Sequence, residues 1–492
     1  MAKLTIDNRT VTVEDGATIL DAAEKLGINI PTMCFLKGYK ASSSCMVCVV
    51  KVAGLQSLVP ACAAIAEDGM QIDTCSDEVR EARKVALELL LSDHLGDCMG
   101  PCQVICPAGM DIPLMIRQIK AGKLQEAIVT VKRNIPLPAV LGRICPAPCE
   151  NGCRRAKYDK AVSICLLKRY VADVDLKSKQ PYQPRIETQK DKRIAIIGAG
   201  PAGLSAGYYL AQLGYACTIY DEHEKAGGML RYSDCLERIG ADVLDKEIES
   251  IRLNIQFQGE TKIDITAFEK LRREFDAVFV ATGADGDRFG FSDFENVFAG
   301  GDVVRKRKLA VRSVADGKQA AAKIDKFLTG KEISSEFNSW LGRLLDGEID
   351  VFMQLVDIAA QVESADGFSD EQAKQESGRC LHCDCRKADN CKLRDLSGEY
   401  KAKANRYLSQ RGVFKQDIRH RDIIYEVGKC IKCGLCVEIT AQVEGELGVT
   451  FIGRGFDVRV GVPFDKNIAD GLQVLAGQCV KSCPTGALSF KD

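Results

Sequence analysis

The chain has 492 residues with 67 basic and 68 acidic side chains, a net charge of −1. That is long enough for several domains, and it gives no electrostatic reason to expect a nucleic-acid or membrane-surface partner. Its 23 cysteines are odd in number and gather in Cys-x2-Cys and Cys-x3-Cys groups, which fits metal-binding thiolates rather than a full disulfide framework.

Residues 3–14 alternate apolar and polar, predicting two short strands about a turn at Asp7-Asn8. Thr18 with Asp21 makes a capping box for a helix through Lys25, with Ile19, Ala22 and Ala23 inward. Cys34, Cys45, Cys48 and Cys62 follow. Four thiolates, two per iron, suit a 2Fe-2S cluster, with structural zinc the alternative. Val79, Ala82, Val85, Ala86, Leu89 and Leu90 keep helical spacing and predict a helix that delivers Asp93-His94 to the next cysteine group. Lys177–Lys192 is a polar linker into the strand Arg193–Ile197. After it, Gly198-Ala199-Gly200-Pro201-Ala202-Gly203 has the strand–turn–helix context of a dinucleotide fingerprint, and Asp221 ends the next strand where a ribose hydroxyl would lie. Residues 331–372 read as helical, and cysteine groups return from 378 onward. No apolar run is long enough to span a bilayer, and Met1-Ala2-Lys3-Leu4-Thr5-Ile6 lacks a signal-peptide pattern, so a cytoplasmic, reducing setting is expected.

The first group, down to Ser44-Cys45-Met46-Val47-Cys48, resembles the N-terminal ferredoxin domain of the large iron-sulfur subunit of respiratory complex I and of iron-only hydrogenases. Those families next place a histidine near a cysteine, as His94 and Cys98 stand here. From that point Cys98, Cys102, Cys106-Pro107, Cys145-Pro146, Cys149 and Cys153 look instead like the N-terminal domain of the glutamate synthase small subunit and of dihydropyrimidine dehydrogenase. That resemblance implies two 4Fe-4S clusters with ligands shared between cysteine groups. The pairing expected is Cys98, Cys102, Cys153 and His94 for one, and Cys106, Cys145, Cys149 and Cys165 for the other; a solvated His94 is the alternative. Cys380, Cys383, Cys385 and Cys391 are expected to meet at one further 4Fe-4S centre, or at zinc. The last group resembles a two-cluster ferredoxin that has lost one cluster, because Thr440, Gln473 and Ala476 stand at ligand positions. Cys430, Cys433, Cys436 and Cys483 remain as ligands. Cys75, Cys217, Cys235 and Cys479 are left as ordinary thiols.

Gly227-Gly228-Met229, Ala281-Thr282-Gly283 and Gly300-Gly301-Asp302 look like further FAD motifs of the glutathione-reductase-like flavoproteins, which implies cofactor-binding roles for Gly198, Gly200, Gly203, Asp221, Gly228, Thr282, Gly283, Gly301 and Asp302 and puts the Gly317 segment beneath the flavin ring. The glutamate-synthase-like family carries a second, NADPH-binding Rossmann domain between the last two of these motifs. Only about fifteen residues separate them here, far short of the roughly thirty of one βαβ unit.

The expected architecture is multidomain α/β and α+β. It comprises a β-grasp 2Fe-2S ferredoxin domain (1–78), a helical two-cluster domain (79–180), a Rossmann-like FAD domain (190–330), a helical linker (331–372), a 4Fe-4S segment (373–425) and a degenerate ferredoxin-like domain (426–492). The expected cofactors are FAD, one 2Fe-2S and four 4Fe-4S clusters, one with zinc as its alternative. The resemblance implies an electron-transfer subunit with no catalytic residue of its own. Its implied neighbours are a nicotinamide-oxidising subunit or ferredoxin and a catalytic subunit such as a hydrogenase, formate dehydrogenase or tungsten enzyme, and flavin-based electron bifurcation is compatible with this set. The alternatives are a self-contained NAD(P)H-dependent enzyme of the glutamate synthase small-subunit type and a zinc-stabilised interaction scaffold.

Overall fold

The computed structural model describes all residues except 285–288, 291–292, 305–308, 332–343, 357–358, 388–389, 408–413 and 492. The chain divides into two units, the first made of residues 1–99, 335–354 and 383–492, the second of 100–334 and 355–382. The expected helical character of 331–372 lies partly outside the described residues; within them a 3-10 helix covers Asp346–Leu355.

The first unit opens with the two predicted strands, Ala2–Ile6 and Arg9–Val13, paired antiparallel around Asp7 and Asn8, both at positive φ. Ala2–Ile6 also pairs parallel with Gln71–Asp73, completing a five-stranded sheet with Val49–Val52 and Val59–Pro60. The helix Ile19–Lys25 carries the Thr18–Asp21 capping box and buries Ile19, Ala22 and Ala23 against this sheet. Helix Asp77–Asp93 then leaves the domain, and His94 caps it. Its Arg83, 3% exposed, donates to the Val49 carbonyl at 2.9 Å and to the Tyr400 hydroxyl at 3.1 Å, so one buried guanidinium ties the N-terminal sheet to a segment near the chain's end. There, strands Gln416–Asp417, Ile423–Glu426 and Leu488–Phe490 and helices Leu435–Thr440 and Ala476–Ser482 enclose a separate core.

In the second unit, helices Ile112–Lys120, Leu124–Lys132, Pro138–Ile144 and Ile164–Lys177 surround one apolar core. Beyond them lies an all-parallel sheet in the order Val297–Ala299, Ala277–Val280, Arg193–Ile197, Ala216–Tyr220, Gln256–Gln258. Ile194 and Ile196 point into one core and Ala195 and Ile197 into another, which is why the strand reads as a continuous apolar run: both its faces are covered. Helix Ala310–Thr329 lies against helix Pro201–Gln212, and its Val311, Val314 and Ala315 reach the helical core, so the two halves of this unit share packing.

A Cβ on Gly317 would meet the Ala202 carbonyl oxygen at 2.3 Å and the Ser205 Cβ at 2.8 Å. Gly317→Ala therefore forces the two helices apart and should destabilise the unit by about 1–3 kcal/mol, read as a lowered urea midpoint. The fully buried Glu247 accepts N–H bonds from Ala139 and Val140 at 2.6 and 2.7 Å, and burial pushes its carboxyl up to about 7 against those bonds. A folded pKa above the unfolded one contributes stability that is fullest below about pH 4.5 and is lost as pH rises through about 7. The stability margin of the wild type over Glu247→Gln should thus narrow by up to about 3 kcal/mol between about pH 5 and pH 8 in thermal melts.

Candidate cofactor sites

All 23 cysteines are free thiols, and most are buried or partly buried. In the first unit Cys34, Cys45, Cys48 and Cys62 form one hydrogen-bonded group. Bonds from Cys45 and Cys62 pull the Cys34 thiol down, and a bond from Cys62 pulls Cys48 down to about 7. The same bonds push the donors Cys45 and Cys62 up. Positive φ at Ser43 and Met46 folds the loop around them. Four converging buried thiols are the donor set that a 2Fe-2S cluster takes.

Near the C-terminus, Cys430, Cys433, Cys436 and Cys483 line one cavity with Tyr425, Leu435 and Thr485. Cys479 is outside this lining and packs into the adjacent apolar core. The two cysteine loops are close: the Cys433 thiol, raised chiefly by burial, also feels Cys34, and Cys34, Cys45, Cys391 and Cys433 belong to one buried apolar cluster.

In the second unit Cys106, Cys145, Cys149 and Cys165 surround Lys168. Its ammonium is fully buried and donates to Cys165 Sγ at 3.8 Å; burial opposes its charge, but these four cysteines hold its pKa above the ordinary lysine value. Glu150 fixes the Cys165 backbone N–H at 2.8 Å. This is the foursome that the spacing grouped. Cys102 and Cys153 pack against the same helical core, and Gly152 lies so close to helix Pro101–Ile105 that an added Cβ would meet Ile105 Cδ1 at 2.1 Å. Cys380 joins that core too, its predecessor Arg379 accepting a bond from Arg155 at 3.2 Å.

The expected group Cys380, Cys383, Cys385 and Cys391 is drawn in two directions: Cys385 and Cys391 lie within electrostatic reach of Cys98, while Cys380 packs against the helical core. Helix ends and loop closures position these thiols, and spacing along the chain does not report them. His94 is buried at 5% exposure, so it is not a solvated helix end.

The flavin fingerprint sits at the strand–helix turn. Gly198 has φ +105° and no room for a Cβ, which would meet the Ala281 carbonyl oxygen at 2.4 Å, while a Cβ on Gly203 would meet the Gly198 oxygen at 1.9 Å. Gly200 caps the helix, and Gly228 begins a turn held to this loop by the Gly227 N–H bond to Ala199 at 2.9 Å. Asp221 accepts from the Ala199 N–H at 2.6 Å and the His223 N–H at 2.9 Å. Thr282 Oγ1 is buried without a hydrogen-bond partner and precedes Gly283 at φ +77°. Asp302 lies half-buried in the turn Gly301–Val303, and Gly301 donates to Asp316 at 3.2 Å. An orphaned hydroxyl beside a glycine cradle fits a dinucleotide cofactor. Gly317 is turned to helix Pro201–Gln212.

Family models match three stretches: a 2Fe-2S iron-sulfur cluster binding domain over residues 1–77, the 4Fe-4S cluster domain II of dihydropyrimidine dehydrogenase over 95–180, and a pyridine nucleotide-disulphide oxidoreductase domain over 192–308. The beta subunit of the NADPH-Fe(3+) oxidoreductase of Geobacter sulfurreducens is 42% identical over 191 residues, 37% of this chain and 28% of the relative. The beta subunit of the NADP(+)-dependent formate dehydrogenase of Moorella thermoacetica is 39% identical over 207 residues, 37% and 29% of the two chains. The small chain of the NADPH glutamate synthase of Bacillus subtilis is 35% identical over 187 residues, 37% and 38%. Over these stretches the chain is similar to oxidoreductases of the glutamate synthase small-subunit-like kind. The matches span well under half of each relative's own length.

The cysteine spacing missed two buried lysines, Lys168 and Lys429. The signal was present: Lys168 follows Cys165 by one helical turn and Lys429 directly precedes Cys430. Cys483 lines the C-terminal cavity and Cys479 does not, so Cys483→Ser should remove about four irons per chain whereas Cys479→Ser keeps them, as iron analysis of anaerobically purified protein will read. Equal losses would defeat the one-cluster reading of this group.

Proposed function

We propose that this chain is an electron-relay subunit carrying one FAD, one 2Fe-2S and four 4Fe-4S clusters, about eighteen irons in all. The observation that carries the reading is the buried cluster shared by Cys34, Cys45, Cys391 and Cys433, which packs separate thiol groups of the first unit side by side, as single-electron transfer along a series requires. The second unit supports it. Glu247, from the helix Ala241–Ile251 beside the parallel sheet, clamps the N-terminus of helix Pro138–Ile144, and Cys145 caps that helix's other end. Bound FAD would supply exchange between paired and single electrons; the residues of this chain hold it, exclude water and set the charge around each thiol group. The partners proposed are a nicotinamide-oxidising subunit or ferredoxin on one side and a catalytic subunit such as a hydrogenase, formate dehydrogenase or tungsten enzyme on the other. Bifurcation at the flavin is part of this proposal. No helix among the described residues is long and apolar enough to cross a membrane.

Hydride transfer needs the nicotinamide held against the flavin in a near-attack geometry, and the short stretch between Gly283 and Gly300 cannot form the domain that would position it. The isolated chain should therefore bind FAD but bleach slowly, if at all, when mixed anaerobically with NADH or NADPH, and bleach rapidly once its partner subunits are added. Rapid bleaching by the chain alone would restore the self-contained enzyme.

A further inference from the structure

Cys98 lies beside Cys385, almost three hundred residues further along the chain. It is 6% exposed, and its carbonyl accepts the Cys385 N–H at 3.3 Å. Burial and then the thiols of Cys385 and Cys391 push Cys98 up, and burial followed by Cys385 pushes Cys391 up to about 11, so each of the three lies within electrostatic reach of the other two. The segment leading to Cys98 is pinned. Leu95 donates its N–H to the Gly428 carbonyl at 2.6 Å, directly after His94 ends helix Asp77–Asp93.

The surroundings are built for a negatively charged group. Lys429, 1% exposed, is paired with the fully buried Glu426 at 2.6 Å and feels Cys385; Arg394 adds a further positive charge toward Cys98 and Cys391. Glycine backbone packs close to both partners, since a Cβ on Gly486 would meet Cys385 Sγ at 2.5 Å and one on Gly96 would meet Lys429 Cε at 2.6 Å. Three buried thiols, two flanking cations and close glycine backbone make a cluster pocket one ligand short, and His94, 5% exposed and four residues before Cys98 on the pinned segment, is the donor that the chain offers for the fourth place.

We propose that Cys98, Cys385 and Cys391, with His94 as the fourth donor, hold a 4Fe-4S cluster within the first unit. The assignment rests on the reading of the chain as a cluster carrier. It takes Cys98 out of the group to which the dihydropyrimidine-dehydrogenase-type match from residue 95 would assign it, and it splits Cys385 and Cys391 from Cys380.

Paired substitutions in the full chain, purified anaerobically and analysed for iron, zinc and flavin, test it. Cys98→Ser and Cys391→Ser should each lose about four irons and the double variant no more, because both break one cluster, whereas Cys98→Ser with Cys102→Ser should lose about eight. Additive loss in the Cys98/Cys391 pair, or loss of zinc in place of iron, overturns the assignment. A wild-type chain without iron would instead sink the carrier reading itself. Should the serine variants fail to fold, pulsed EPR of the reduced wild type decides: histidine-nitrogen coupling to a cluster, abolished by His94→Cys and retained in His382→Gln, is expected. Absence of that coupling, or its survival in His94→Cys, overturns the four-ligand set.

Discussion

Thiols gathered in a low-dielectric interior resist ionisation, and the buried cysteine groups of this chain are set among features that oppose that resistance. Burial is the leading influence that raises Cys98, Cys391, Cys433 and Cys436. The fold counters it with positive charge and directed donors: Lys168 amid four cysteines, Lys429 beside Cys385, and the mutual thiol bonds of the first loop. Each remedy makes a further demand. Lys429 is itself buried and needs Glu426, so the cysteine, the lysine and the carboxylate form a chain of compensation.

That demand explains why the first unit is stitched together across such distances. Arg83 joins the N-terminal sheet to Tyr400, and the fully buried Glu88 on the same helix accepts the Lys403 N–H at 3.0 Å and the Arg406 guanidinium at 2.7 Å. Helix Asp77–Asp93 thus acts as a strut between the loop of Cys34 to Cys62 and the segment that follows Cys391.

Local chemistry was legible in the sequence, and long-range pairing was not. The Thr18–Asp21 box, the Asp7-Asn8 turn and the glycine fingerprint each depend on neighbours within a few residues, so their geometry follows from the residue types. Cys106, Cys145, Cys149 and Cys165, which the resemblance and the count of available ligands put together, all act on the Lys168 ammonium. The neighbours of Cys98 and Cys380 were not legible, for one reason. Spacing motifs assume that ligands share a loop, whereas here a hydrogen bond from Cys385 to Cys98 and a guanidinium contact at Arg379 sort neighbouring cysteines into different units.

The second unit is inserted into the first, and this has a consequence for biosynthesis. The strands and helix that begin the chain leave the ribosome long before the residues from 383 onward that complete their unit. At roughly 5–20 residues per second, the interval is on the order of a quarter to one minute, long enough for the inserted unit to fold on its own. Cys34, Cys45, Cys48 and Cys62 share a domain that is complete by residue 77, whereas Cys98 spends that time without Cys385 and Cys391. The site around Cys98 can accordingly close only after residues 385–391 have emerged, later than the thiol group of the N-terminal domain.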